Sequence, residues 1–246
     1  MRSIIWFIYF FGFLLVFHPV MFKGLRALKR GDFETVDRIA YKYVPMWCNG
    51  LIKLGGVEIV ISGKENIPEG RPCVYTANHR GLWDIPVMLT GFGNPIPLIA
   101  KIESDKIPLI RSWMRLLHCL FLDRSDPRQG MKIINEAAEL VNKGYSIGIF
   151  PEGTRYKGEE GGVGPFLGGA FRVASKTGAP IIPVAIYNSR AALEGDGHFT
   201  IKPAKITVHI LPAIETEGLD RAALKVLPSG VEELIRAELA SIADTY

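Results

Sequence analysis

The sequence predicts an α/β fold with a mixed, largely parallel sheet flanked by helices, preceded by an N-terminal membrane-binding helical hairpin. Short apolar runs typical of strands alternate with helical patterns from residue 57 onward, an order that favours parallel strand pairing. No Asp, Glu, Lys or Arg occurs from Ser3 to Phe22, and a helix of that length would be about 30 Å long, enough to match a bilayer core. We therefore expect a helical hairpin over residues 1–56 and an α/β domain over residues 57–246.

Composition limits the classes of protein that fit this chain. Hydrophobic residues make up 48% of its 246 residues and the formal net charge is only +4, which excludes a disordered chain and gives no long basic run for nucleic acid. The three cysteines form no CxxC pair, which predicts a reducing compartment and no metal site. The oligomeric state stays open.

The N-terminal segment predicts a retained membrane attachment rather than a cleaved signal peptide, because no small-residue cleavage site follows the apolar run. The basic residues Lys23, Arg26, Lys29 and Arg30 come next and place this flank on the cytoplasmic side. A second helical pattern spans residues 34–54 and predicts a helix that either packs in the core or lies on the membrane surface. Aromatic residues spread along the first segment favour helices embedded from one side, with a single span as the alternative.

The remaining elements follow from apolar runs and cap signals. Asp126 and Pro127 form an N-cap and N1 pair, and Gly144 supplies the stop of the helix between them. Another helix, rich in Trp and Leu, precedes residue 119. Further helices are expected at 85–89, 170–176 and 219–243, a Gly-rich loop at 158–169, and strands at 57–61, 73–77, 97–100, 119–122, 146–150, 181–187 and 206–210.

The stretch from Asn78 to Asp84 lies at a strand-to-helix turn and carries a base and a carboxylate. On a continuous helix His79 and Asp84 would point about 140° apart, so only a turn through Gly81 brings them together. Asp84 would then accept a hydrogen bond from one ring nitrogen of His79 and leave the other free to take a proton. The alternative is that Asp84 is an N-cap and His79 an ordinary surface residue.

Further polar residues follow other strands directly. Ligands of open α/β sheets gather at the carboxyl ends of strands, so Lys101, Arg124 and Arg155 are expected to converge with His79 and to bind a phosphate. Glu152 is expected either to bind a substrate hydroxyl or to form a salt bridge that orders the loop. Gly153 would let the backbone approach the ligand closely.

Four blocks in this order resemble those of the glycerolipid acyltransferases. The first, Asn78–Asp84, matches the family's NHx4D block, and Phe150–Arg155 matches its third. Phe121–Arg124 and Pro180–Val184 are similar to the second and fourth. The third block is closer in form to the lysophosphatidate branch than to the glycerol-3-phosphate branch. Arg111, Ser112 and Leu167 depart from the family pattern and leave donor or acceptor preference open.

The resemblance implies transfer of a fatty acyl group from a thioester to the sn-2 hydroxyl of 1-acylglycerol 3-phosphate, forming phosphatidic acid. It implies His79 as base and Asp84 as its orienting group, without a covalent intermediate. Acyl-CoA or acyl carrier protein would be the co-substrate and lysophosphatidic acid in the membrane the acceptor, with no cofactor and no metal. The residues it assigns to acceptor binding are Lys101, Arg124, Glu152, Gly153 and Arg155.

Three alternatives stay open at this point. In the first, the chain is a related acyltransferase whose acceptor is glycerol 3-phosphate or another lysophospholipid. A membrane-bound thioester or ester hydrolase would use the same His-Asp pair to activate water. A non-catalytic lipid tether would need the membrane segment but no base.

Overall fold

The central sheet of the protein is mixed and largely parallel, as the sequence predicts. The computed structural model describes residues 1–194 and 200–245. Its central sheet has the strand order β1, β7, β6, β2, β5. In this described part, β6 pairs with β7 in antiparallel fashion and the other neighbours are parallel. The strands are β1 Val57–Ser62, β2 Val74–Ala77, β3 Ile99–Lys101, β4 Leu120–Leu122, β5 Ile147–Ile149, β6 Ile181–Tyr187 and β7 Ala204–Ile210.

The short strands β3 and β4 extend this sheet at the β5 edge. They pair in parallel, with Lys101 opposite Leu122, and a parallel bridge joins Leu98 to Gly148 of β5. The carboxyl ends of β3 and β4 therefore lie side by side. The segment that leads into β3 borders β5, which in turn pairs with β2. Residues that follow these strands face the same edge of the molecule.

Helices cover both faces of the sheet, and each face has its own hydrophobic core. Asp126 caps α6 by accepting hydrogen bonds from the amides of Arg128 (2.9 Å) and Gln129 (3.3 Å), as predicted, and Gly144 follows the end of this helix with φ +95°. The helices are α1 Arg2–Val16, α2 His18–Lys29, α3 Phe33–Gly55, α4 Asp84–Thr90, α5 Ile110–Leu116, α6 Pro127–Asn142, α7 Gly169–Thr177 and α8 Arg221–Thr245.

The first helix is shorter than the sequence predicts. A single helix from Ser3 to Phe22 is wrong, because α1 ends at Val16 and α2 continues after a bend of 50°. Pro19 lies in the first turn of α2, where its missing N–H is tolerated, whereas within one continuous helix its ring would clash with the carbonyl of Leu15. None of the described helices has by itself the length and apolarity to cross a bilayer; only α1 and α2 taken together do.

The N-terminal helices form the predicted hairpin, with α1 lying antiparallel to α3. The indole N–H of Trp6 donates to the carbonyl of Leu51 (3.0 Å) and that of Trp47 to the carbonyl of Phe10 (3.4 Å). One hydrophobic core contains residues of this hairpin and of β1, β6 and β7. The division of the chain at residue 57 stays a prediction.

Trp83 connects the hairpin to the turn before α4. Its side chain is 2% exposed, and its ring lies 6.0 Å from that of Trp6. A Cβ atom on Gly55 would come within 2.9 Å of the Trp83 ring, so only glycine permits this packing at the end of α3. The residue beside Asp84 is thus held by both arms of the hairpin.

Candidate active site

The turn between β2 and α4 is fixed to the neighbouring strand by Asn78. This side chain is 1% exposed; its amide nitrogen donates to the carbonyl of Ile186 (2.8 Å), and its oxygen accepts from the Ile186 N–H (2.7 Å). Both halves of the side-chain amide therefore replace ladder bonds that β2 no longer makes. This bridging role of Asn78 was not predicted, although a polar residue directly after an apolar strand is a sequence signal for such a role.

His79 and Asp84 make the predicted contact. Nδ1 of His79 lies 2.6 Å from Oδ2 of Asp84, and the imidazole stacks on Phe150 with ring centroids 4.2 Å apart. With an ionised carboxylate as acceptor, Nδ1 carries the proton and Nε2 keeps its lone pair. Among the described residues Nε2 has no hydrogen-bond partner, and the side chain is 17% exposed, so this nitrogen is available to a substrate.

Asp84 is held in place by the turn itself. Its side chain is fully buried, and Oδ2 also accepts from the amides of Arg80 (2.7 Å) and Gly81 (2.9 Å). The N-cap alternative is wrong, because Asp84 is the first residue of α4 and its side chain makes no cap bond there. Three donors on one oxygen fix the direction of the carboxylate toward His79.

Four consecutive amides of the turn, from His79 to Leu82, are engaged, which bears on stabilisation of an oxyanion. His79 donates its N–H to Glu152, Leu82 donates to Glu194, and those of Arg80 and Gly81 donate to Asp84. Backbone amides at such a turn are candidate donors to an oxyanion. In this structure these four are committed to carboxylates instead.

Glu152 joins the turn to the Gly-rich loop. Oε1 accepts from the His79 amide (2.7 Å) and Oε2 from the Gly164 amide (2.8 Å), while the residue is only 8% exposed. Burial raises the pKa of Glu152, although the two amide donors act to lower it. Among the described residues Glu152 has no ion pair, so the predicted salt bridge is wrong and its ordering role is performed through backbone amides.

Arg124 lies beside Gly153, while the convergence of the cations with His79 stays a prediction. Gly153 has φ +74°, and a Cβ atom there would lie 3.5 Å from the Arg124 guanidinium and 3.1 Å from Leu167. A side chain at this position would be strained by the positive φ and would press on Leu167. Within residues 1–194 and 200–245, Arg124 has no hydrogen-bond or ion-pair partner, and its side chain is exposed. Its donors are therefore free for an anionic ligand.

Arg155 is brought to the same turn but is already paired. Its Nη1 contacts Oε1 of Glu194, whose Oε2 accepts from the amide of Leu82 (2.9 Å). Arg155 is 40% exposed at its side chain and Glu194 only 18%. Glu194 follows β6. Its role was not predicted from the sequence, because 39 residues separate it from Arg155 and no local pattern relates the two.

Lys101 lies at the end of β3, where its ammonium pairs with Glu103 at 2.8 Å. Both side chains are at least half exposed, so this pair contributes little to stability. Glu103 also acts electrostatically on Arg124, where it opposes the lowering of the Arg124 pKa by partial burial. Lys101 and Arg124 therefore share one neighbouring carboxylate at the rim of the site.

Arg80 is a structural residue of the site that the sequence analysis missed. Its side chain is 3% exposed, and it donates to the carbonyls of Gly158 and Glu159 and to the carboxylate of Glu160, each within 2.9 Å. Its guanidinium also lies over the Tyr156 ring at 5.3 Å. Arg80 and Glu152 thus fasten the Gly-rich loop to the turn that carries His79.

Over the described ranges, no group of three His, Cys, Asp or Glu side chains is arranged to hold a metal ion.

Comparison with known proteins gives consistent results. The family model described as Acyltransferase matches residues 58–187. The 1-acyl-sn-glycerol-3-phosphate acyltransferase of Pseudomonas aeruginosa is 32% identical over 212 residues, which cover 84% of this chain and 80% of that protein. A chloroplastic 1-acyl-sn-glycerol-3-phosphate acyltransferase of Brassica napus is 41% identical over 127 residues, 51% of this chain and only 36% of the longer relative.

A solved structure shows the same likeness over nearly the whole chain. The crystal structure of the 1-acyl-sn-glycerophosphate (LPA) acyltransferase from Thermotoga maritima superposes with a TM-score of 0.74 at 28% sequence identity. The alignment covers 99% of this chain and 98% of that one. The likeness therefore includes the N-terminal helices as well as the sheet.

Proposed function

Because this chain belongs to the acyltransferase family, we propose that it transfers a fatty acyl group from an acyl thioester to the sn-2 hydroxyl of 1-acylglycerol 3-phosphate, forming phosphatidic acid. The observation that carries this proposal is the 2.6 Å contact from Nδ1 of His79 to Asp84, which leaves Nε2 open at the site. The acceptor is the one in the names of the relatives from Pseudomonas aeruginosa and Brassica napus.

In the proposed mechanism His79 is the general base. Nε2 removes the proton from the acceptor hydroxyl as its oxygen attacks the thioester carbonyl, and the same proton passes to the thiolate that leaves. A thioester is already activated, so no covalent acyl-enzyme intermediate is needed. Asp84 fixes the tautomer and stabilises the transient imidazolium. General base catalysis contributes about 10² to 10⁴-fold, and positioning supplies much of the remainder.

The acceptor phosphate is proposed to bind Arg124 and Arg155, with Lys101 as a point charge at the rim. The unpaired guanidinium of Arg124 beside Gly153 supports this assignment. Glu152 contributes by holding the His79 backbone, because both of its oxygens already accept amide hydrogen bonds. Acyl-CoA or acyl carrier protein serves as co-substrate, and the reaction needs no cofactor or metal.

The test is acyl transfer by the purified protein with His79→Ala as the variant. His209→Ala is the matched control, since His209 also contacts a carboxylate, that of Glu238, through Nδ1. The wild type and the control should acylate lysophosphatidic acid, and His79→Ala should lose at least about 10²-fold in kcat. Faster reaction with glycerol 3-phosphate would indicate the other acceptor. Release of free fatty acid without acceptor at a comparable rate would indicate a hydrolase.

The acceptor and the product are membrane lipids, and the outer surface of α1 supports membrane attachment from one side. Trp6, Phe13 and Leu14 of α1 are buried, whereas a row of large apolar side chains on the same helix is more than half exposed: Ile4, Ile5, Ile8, Phe11, Leu15 and Val16. Such a continuous apolar face is too large for an ordinary water-facing surface. We propose that it inserts into the cytoplasmic leaflet and that α2 brings its basic residues to the headgroups.

Vesicle flotation tests this attachment. Ile8→Glu combined with Leu15→Glu should release the protein from vesicles, because both side chains are more than 60% exposed and a charge there faces hydrocarbon. The control is Val226→Glu, which places the same charge at an exposed apolar side chain of α8. Flotation of the α1 double variant at the level of wild type would contradict insertion of this face.

A further inference from the structure

A concave groove lies between α7 and α8, outside the turn that carries His79. Its volume is about 370 Å³. Its floor is apolar, formed by Phe171, Leu224 and Pro228, and its rim carries the cations Arg172, Arg221 and Lys225. A pocket of this size with an apolar floor and a few polar groups is typical of a small-molecule site.

The rim cations are not used by the fold. Over residues 1–194 and 200–245, Arg172, Arg221 and Lys225 have no ion-pair partner, and all three are exposed. Some other surface arginines are paired, as in Arg115 with Asp105 and Arg236 with Glu232. Arg221 and Lys225 are also four residues apart on α8, a spacing at which like charges destabilise a helix. The cluster thus carries a small cost that an anionic ligand would remove.

The groove adjoins the proposed acceptor site. Gly168 is one of its lining residues, and the preceding residue, Leu167, is the one that a Cβ atom on Gly153 would meet at 3.1 Å. The amide of Leu167 donates to the carbonyl of Pro151 at 2.9 Å. Leu167 therefore lies between Gly153 and the residue that lines the groove.

We propose that this groove binds the nucleotide end of acyl-CoA, an inference that rests on the proposed acyl transfer from a thioester. The adenine covers the apolar floor, and the phosphates pair with the three rim cations, two of which are arginines that bind phosphate in bidentate fashion. The pantetheine arm then runs past Leu167 to the reaction centre. A carrier protein would need several hundred Å² of matching surface on each partner, whereas a concavity of this volume suits a nucleotide.

The test compares the full-length variant Arg221→Glu/Lys225→Glu with Lys64→Glu/Lys132→Glu, which makes the same charge change at exposed positions away from the groove. Direct binding of CoA is measured by calorimetry, and the KM values of both substrates are measured with acyl-CoA, acyl-3′-dephospho-CoA and acyl carrier protein as donors. The groove variant should bind CoA about tenfold more weakly and raise the acyl-CoA KM to a similar extent. The lysophosphatidic acid KM and the thermal midpoint should not change, and the penalty should be smaller with the dephospho donor.

Three other outcomes would overturn the inference, and a fourth would contradict the proposed function instead. An unchanged acyl-CoA KM and CoA affinity would show that the groove does not take the nucleotide. A defect confined to acyl carrier protein would make it a protein-docking surface, and a defect confined to vesicle flotation would make it a lipid contact. Failure of wild type to acylate lysophosphatidic acid would contradict the proposed function, while CoA binding by calorimetry would still report on the groove.

Discussion

The two sides of the site differ in how completely they are formed before a ligand binds. On the His79 side, Asp84 is fully buried and holds one ring nitrogen and two amides with a single oxygen. The cationic side contains Lys101 and Arg124. Arg124 is exposed and unpaired among the described residues, and Lys101 is paired only with another exposed side chain. The proposed base is therefore preorganised for proton transfer, whereas we expect the cationic side to gain its order when an anion binds.

The largest expected effect is on the preorganised side. Asp84→Asn keeps the shape but loses the charge, and its side-chain oxygen can still accept from the amides of Arg80 and Gly81. We expect kcat to fall by about 10² to 10⁴-fold, with little change in the acceptor KM. Steady-state kinetics with lysophosphatidic acid measures this. An effect on KM alone would mean that Asp84 serves binding rather than the base.

On the cationic side we expect a change in binding. Arg124→Ala removes donors that no described protein group uses, so the acceptor KM should rise about 10 to 100-fold while kcat changes little. Arg155→Ala should raise it less, because Glu194 already competes for Arg155. Arg128→Ala, four residues away and also exposed, is the control. Equal effects of Arg124→Ala and Arg128→Ala would remove Arg124 from the acceptor site.

Glu194 lies between the two sides, so its substitution separates them. Glu194→Gln releases Arg155 from a carboxylate, but its side-chain oxygen still accepts the Leu82 N–H. We expect the acceptor KM to fall about two to fivefold with kcat unchanged. Glu194→Ala also removes the Leu82 contact and should lower kcat. If Glu194→Gln raised the acceptor KM instead, Glu194 would be assisting phosphate binding rather than opposing it.

The smallest expected effect is a pH dependence of stability that comes from the buried side. Burial raises the pKa of Glu152, so the folded state binds this proton more tightly than the unfolded state. The contribution of Glu152 to stability is then full below the ordinary glutamate pKa of about 4.3 and declines as pH rises through the folded pKa. The difference in unfolding free energy between wild type and Glu152→Gln, measured with urea, should decrease from about pH 4 to pH 7. An increase would contradict the sign of this shift.

Much of the fold follows from local signals. The strand at 181–187 and the helix from Pro127 coincide with their predicted bounds, because an apolar run and a cap pair are decisive over short distances. The bend at Phe17 was not predicted, because hydropathy alone does not show where a helix ends and the next one begins in a new direction. Pro19 was the available signal, since a proline two residues into a new helix is tolerated but one in a continuous helix is not.

The site was less accessible from the sequence than the fold. The His79 and Asp84 contact is local and was predicted from their spacing. The sequence did not show that Glu152 uses both oxygens on amides or that Arg155 pairs with Glu194, because these partners come from distant segments. A charged residue at a strand end looks the same whether it faces a ligand, an amide or a counter-ion.

Trp83 limits how this protein can be engineered. Deleting residues 1–56 to obtain a water-soluble form would remove Trp6 and Gly55, against which Trp83 packs, and would leave a large indole uncovered next to Asp84. Such a truncated protein would lose the support of its candidate active site along with the proposed attachment to lipid. Solubilisation is better sought by replacing the outward apolar side chains of α1, with the inward ones retained.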